Sequence, residues 1–69
     1  MEIEIGDILI ATRIYEIENG FTNGDIIQIL KKHDENTYVV KIIYKENNKM
    51  LAGLKGWYLC AEINKFDKL

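Results

Sequence analysis

The sequence predicts a single small all-β domain, a five-stranded barrel with one 3₁₀ turn before its last strand. Three observations predict it. Apolar segments of strand length are divided by Gly, Asn and Asp clusters. Ile occurs twelve times, and β-branched side chains suit a pleated surface. Within the segments, apolar residues recur at every second position, the spacing that sends neighbouring side chains to opposite faces of a sheet.

The first segment runs from Ile8 to Ile17, opening after Gly6-Asp7, with Ile8, Ile10 and Ile14 on one parity. Residues 18–25, ENGFTNGD, hold Asn19-Gly20 and Asn23-Gly24, and Asn-Gly favours tight turns because both residues tolerate positive φ. Phe21 lies between the two turns and is expected to tuck onto the core. The second strand is Asp25–Lys32, with Ile27 and Ile29 inward and Gln28 and Lys32 outward. A helix over residues 25–32 is disfavoured by the β-branched density. HDENT, residues 33–37, reads as a turn. The third strand is Tyr38–Lys45, with Tyr38, Val40, Ile42 and Tyr44 inward and Lys41 and Lys45 outward. Residues 46–49, ENNK, form the next turn. A short fourth strand, Met50–Leu54, ends near Gly53 and Gly56, and Trp57–Leu59 begins the last segment. Residues 60–62 are expected in a single 3₁₀ turn, and Ile63 opens the closing strand. Residues 1–69 thus make one domain with its core at about residues 6–64, and residues 65–69 form a partly frayed tail.

Composition bounds the function. A chain of 69 residues leaves no room for a second domain and buries only about 60% of its unfolded surface. With one Cys it can form no intrachain disulfide, which fits a reducing compartment. The start MEIEIGDILI lacks a signal peptide's basic region and long apolar run. No apolar stretch approaches the roughly 20 residues that cross a bilayer. The expectation is a soluble, cytoplasmic protein with no membrane partner. Richness in Ile, Lys and Asn, with no Pro or Ser, suits an AT-rich genome such as that of a low-GC bacterium or its phage. The formal net charge is −2, which opposes non-specific nucleic-acid binding. Charge is uneven: residues 1–25 carry six acids against Arg13, and residues 26–69 carry eight lysines against five acids. Lysines commonly keep strand edges soluble, and a bipolar surface can steer a charged partner.

Two blocks carry a family resemblance. FTNGDIIQIL, residues 21–30, has an aromatic before Gly-acidic and then an alternating apolar strand. GLKGWYLCAEI, residues 53–63, has Gly53, Gly56 and Trp57 leading to a 3₁₀ turn and Ile63. The pattern over residues 8–64 resembles the Src-homology-3 (SH3-like) barrel, and the resemblance implies that fold. Members that bind proline-rich peptides use an aromatic groove and a proline in the 3₁₀ turn. Here Leu59 stands where that proline would fall, and Ala61-Glu62 replace a polar-aromatic pair. Without the groove that receives a polyproline helix, proline-rich ligands are not expected.

No residue constellation points to chemistry. There is no Ser, and His33 and Cys60 lie in separate predicted turns. His33 reads as an exposed turn residue and Cys60 as a small buried apolar group. A structural zinc needs about four Cys or His ligands, and the chain has two. The pairs Glu16/Glu18 and Asp34/Glu35 sit on loops, which rarely supply the pocket that raises an acid's pKa. Gly20 and Gly24 read as turn formers, with no helix after them to hold a phosphate. The expectation is a non-enzyme without metal or cofactor.

Two features suggest a surface for a partner. Ile26, Leu30, Val39 and Ile43 fall on the parity opposite the expected core, and a contiguous apolar patch marks an interface; bent barrel strands can instead turn such residues inward. The second is the aromatic set Tyr15, Phe21, Tyr38, Tyr44, Trp57 and Tyr58. Trp57 and Tyr58 are adjacent and point to opposite faces, with Trp57 expected outside and Tyr58 inside. The leading expectation is a protein-binding module docking through the Tyr15–Gly24 loop (Tyr15 and Phe21), Trp57, and the face bearing Ile26, Leu30, Val39 and Ile43. Such a module is an adaptor, a subunit or an inhibitor, for instance a phage protein directed at a host factor. The alternatives are a nucleic-acid-binding barrel using aromatics beside Lys31 and Lys55, and a structural homodimer through the same four apolar residues.

Overall fold

The computed structural model describes residues 2–15, 21–46 and 58–69, residues 58 and 59 by their main chain alone. Among the described residues, five strands follow one another: β1 Ile8–Ala11, β2 Ile26–Lys32, β3 Thr37–Tyr44, β4 Tyr58–Glu62 and β5 Phe66–Lys68. A 3₁₀ turn, Ile63–Lys65, separates the last two. The strands form one antiparallel sheet in the order β4-β3-β2-β1-β5. The protein is all-β, with its 3₁₀ turn before the last strand.

Strand alternation builds the core. Leu9 and Ala11 of β1, Ile27 and Ile29 of β2, Val40 and Ile42 of β3, Ala61 of β4 and Phe66 of β5 are buried on one face. Ile14 and Phe21, from the connection between β1 and β2, join them, and Ile3, Tyr38 and Ile63 pack against the cluster. Phe21 meets Phe66 edge to face, with ring centroids 5.4 Å apart. That geometry sets a positive ring edge on a negative face.

The β1–β2 connection is held by side chains that imitate main chain. Asn23 Oδ1 accepts from the Ile14 N–H at 2.8 Å, and its Nδ2 donates to the Ile14 carbonyl at 3.0 Å. One amide thus pairs with Ile14 as a neighbouring strand would. Gly24 follows at φ +95°, a conformation that glycine adopts without a Cβ penalty. At the β2–β3 turn, Asp34 Oδ1 accepts from the N–H groups of Asn36 and Thr37 at 3.1 and 3.0 Å, the usual asparagine-or-aspartate turn chemistry.

The end of the chain departs from expectation. Residues 60–62 continue β4, because Cys60, Ala61 and Glu62 pair with Val39, Tyr38 and Thr37. The 3₁₀ turn therefore falls at Ile63–Lys65, and the closing strand opens at Phe66 rather than Ile63. Residues 66–68 are no frayed tail: they pair with β1, and Phe66 is among the largest fully buried side chains. β1 is also shorter than Ile8–Ile17, since the N–H groups of Thr12 and Arg13 turn to the Lys65 carbonyl at 3.1 and 3.2 Å. The expected strand Met50–Leu54 and the turn glycines Gly20, Gly53 and Gly56 lie outside the described residues.

Candidate docking surface

Two bulges shape the face opposite the core. Along β2 and β3, Ile27 pairs with Ile42 but Ile26 pairs with Tyr44, so Ile43 is an extra residue on β3. Ile29 pairs with Val40 but Lys31 pairs with Val39, so Leu30 is an extra residue on β2. An extra residue bends its strand and reverses the parity beyond it. Tyr44, expected inside, is therefore exposed, and Lys45, expected outside, is buried.

The registers then define rows on the outer face. Ile10 of β1 lies beside Ile26 of β2, which lies beside Tyr44 of β3, and Asp67 of β5 ends the row beyond Ile10. The next row holds Ile8, Gln28 and Lys41. A third holds Lys31, Val39 and Cys60. Ile43 and Leu30 sit between the rows at their bulges. Ile8, Ile10, Ile26, Leu30, Val39 and Ile43 are all half-buried. Tyr44 is 45% exposed and Tyr15, at the foot of the β1–β2 connection, 90%.

Beneath Tyr44 lies a buried polar hub. The Asp25 carboxylate, fully buried, pairs with the buried ammonium of Lys45. It also accepts from the Thr22 N–H at 2.8 Å, the Thr22 hydroxyl at 3.1 Å and the Glu46 N–H at 2.9 Å. Several donors on one carboxylate are what a charge needs to leave water. The Lys45 ammonium also stands 5.7 Å from the Phe21 ring centroid, within reach of its negative face. The Tyr44 hydroxyl is held above its ordinary pKa by its hydrogen bond to the Glu46 carboxylate and by that group's charge.

At the far edge of the sheet, Arg13 wraps the last strand. Its Nε donates to the Asn64 carbonyl and its Nη2 to the Phe66 carbonyl, both at 2.8 Å. Its Nη1 meets Asp67 Oδ2 at 2.8 Å, and the Thr12 hydroxyl donates to the same oxygen at 2.6 Å. The Thr12 and Arg13 bonds hold the Asp67 carboxyl below its ordinary range.

Of the residues expected at a docking surface, Ile26, Leu30, Val39 and Ile43 do share the outer face. Tyr15 is fully displayed. Phe21, expected at the docking surface, is instead buried against Phe66. Trp57 and the Tyr58 side chain lie outside the described residues. Cys60, expected inside, is exposed, because it pairs with outward Val39. Sequence reasoning missed Ile10 and Tyr44 as neighbours of Ile26, since only the register reveals them. It also missed the Asp25 hub, whose local signal was an aspartate directly after an Asn-Gly turn. Among the described residues, no three of His, Cys, Asp or Glu gather as a metal would need, and no helix is long and apolar enough to cross a membrane. No protein-family model matches the chain, and neither curated proteins nor solved structures include a match to it.

Proposed function

We propose that the chain is a small non-catalytic module of the SH3-like barrel kind that acts by occupying a partner protein, as adaptor, subunit or inhibitor. One observation carries the reading: Ile10, Ile26 and Tyr44 stand side by side on the outer face, none of them buried. Apolar side chains that remain partly open on a sheet face lower their free energy when a partner removes them from water. Tyr44 adds an aromatic body with a polar tip, the commonest kind of interface anchor. Among the described residues, the five-stranded antiparallel sheet, open between β4 and β5, and its 3₁₀ turn are consistent with a small barrel-like fold of the kind the sequence resembles.

The test is capture of proteins from a lysate of the source organism, with and without nuclease, by the tagged chain and by its Ile26→Lys variant. A single protein in stoichiometric yield, kept after nuclease and lost with a folded Ile26→Lys, supports the reading. Recovery that collapses with nuclease overturns it in favour of a nucleic-acid barrel, for which Lys31 and Lys41 on the same face would supply the contacts. A partner held equally well by Ile26→Lys also overturns it.

A further inference from the structure

We infer that the outer face takes an acidic protein, one whose own surface sets carboxylates beside an apolar centre, with Lys31 and Lys41 as the groups that receive them. The inference rests on the docking reading and adds the charge of the partner. It comes from how the cations are distributed. Among the described residues, Arg13 pairs with Asp67, Lys45 with Asp25, Lys65 with Glu62 and Lys68 with Asp7. Lys31, Lys32 and Lys41 meet no carboxylate of the described residues. Lys41 stands on the outer face in the row beside Ile10, Ile26 and Tyr44, and Lys31 in the row after it. The acids nearest that face are already engaged: Asp67 by Arg13 and Thr12, Glu62 by Lys65 at 3.9 Å, and Glu46 by the Tyr44 hydroxyl. A chain of net charge −2 thus presents unpaired positive charge where its apolar surface is open.

Lysines often guard a sheet edge against stray pairing. These two do not, because β2 and β3 lie inside the order β4-β3-β2-β1-β5. Lys41 is also half-buried, so a partner that covered it without a counter-charge would meet a desolvation cost. A carboxylate on the partner offsets that cost and fixes the docking register. Lys31 lies opposite Val39, and Lys41 lies two residues along β3 from Val39. Strand rise and spacing put the two Cα atoms on the order of 8 Å apart, so one partner segment can meet both. A second copy of this chain fits poorly. In a two-fold contact each face meets itself, and these lysines would face lysines and carboxylates already held. Nucleic acid fits poorly too. Beside the lysines stand Ile8, Ile26, Leu30, Val39 and Ile43, which give a base nothing flat to stack on.

The experiment titrates the isotope-labelled chain with poly(Glu,Tyr), a soluble acidic copolymer bearing apolar rings, and in parallel with oligothymidylate, and follows amide signals by nuclear magnetic resonance. The copolymer should move the signals of Ile26, Lys31 and Lys41, and Lys31→Glu/Lys41→Glu should weaken its binding roughly tenfold. Should that variant not fold, Lys31→Gln/Lys41→Gln replaces it and should weaken binding by a smaller factor. Three results overturn the inference: no shifts on this face, undiminished binding by the folded lysine variant, or oligothymidylate bound as tightly as the copolymer. Self-association that Ile26→Lys abolishes also overturns it, by giving the face to a second copy. The docking reading is judged apart, on a protein captured from lysate. A captured protein kept by the lysine variant but lost with Ile26→Lys leaves the docking surface standing and removes the acidic partner. One held equally by Ile26→Lys removes both.

Discussion

Gly6 and Gly24 share a φ of +95° but not their surroundings. A Cβ at Gly6 would meet nothing within 4 Å, whereas one at Gly24 would lie 2.9 Å from Glu46 Cγ and 3.1 Å from its Cβ. Gly6→Ala should therefore cost only the left-handed backbone term, about 1 kcal/mol. Gly24→Ala adds a collision with the residue whose N–H serves Asp25, and should cost roughly twice as much. Urea unfolding of the two variants checks this, and equal midpoints would refute the steric account. Arg13 is the second residue with an outsized role. Arg13→Ala removes two bonds to main-chain carbonyls, which discounted for exposure are worth about 1 kcal/mol, or a melting point lower by roughly 4–8 °C. Lysine in its place should not restore it, because one ammonium cannot span Asn64 and Phe66 as a guanidinium fork does. The turn roles of Asn23 and Gly24 were legible because Asn-Gly carries its own conformational preference. The role of Arg13 was not, because its partners lie over 50 residues away.

At the scale of elements, β2 was legible almost to its ends, since Ile27 and Ile29 alternate with polar or bulged neighbours. β3 was legible only to Ile42. Periodicity cannot show a bulge, because an inserted residue leaves the amino-acid pattern intact and changes only the pairing partner. β5 was missed for a different reason: a three-residue strand carries too little alternation to register. Its energetic weight is out of proportion to its length, because Phe66 fills the core beside Phe21. Phe66→Ala should cost about 3–5 kcal/mol, a large share of a small domain's stability. Removal of residues 66–69 should leave the chain unfolded, as judged by loss of chemical-shift dispersion. A truncated chain that kept its β spectrum would show that the closing strand is dispensable.

Among the described residues, three aspartates tie the stability of the molecule to acid. Asp7 is held below its ordinary 3.8 chiefly by the Glu4 N–H, Asp34 chiefly by the Asn36 N–H, and Asp67 by Thr12 and Arg13. Each binds a proton less readily when folded, so the unfolded chain takes up more protons in acid and stability rises with pH there. Their contribution is complete above 3.8 and is lost as pH falls through the lower folded values. The melting point should hold between about pH 7 and 5 and drop below about pH 4. Asp67→Asn should shallow that drop, and an unchanged acid limb would remove Asp67 from the explanation. The all-β class was readable from composition and turn spacing, whereas the strand order was not, since it depends on which edges meet across the full chain. That order has a consequence for how the protein is made. β1 lies between β2 and β5, and the Leu69 N–H reaches back to the Ile8 carbonyl at 3.0 Å. A ribosome delivers β1 well before its second neighbour β5, so the nascent chain carries a bare strand edge until Phe66–Lys68 emerge. Folding must then be a single late event, and stalled chains ending before Phe66 should be digested by protease as readily as an unfolded peptide.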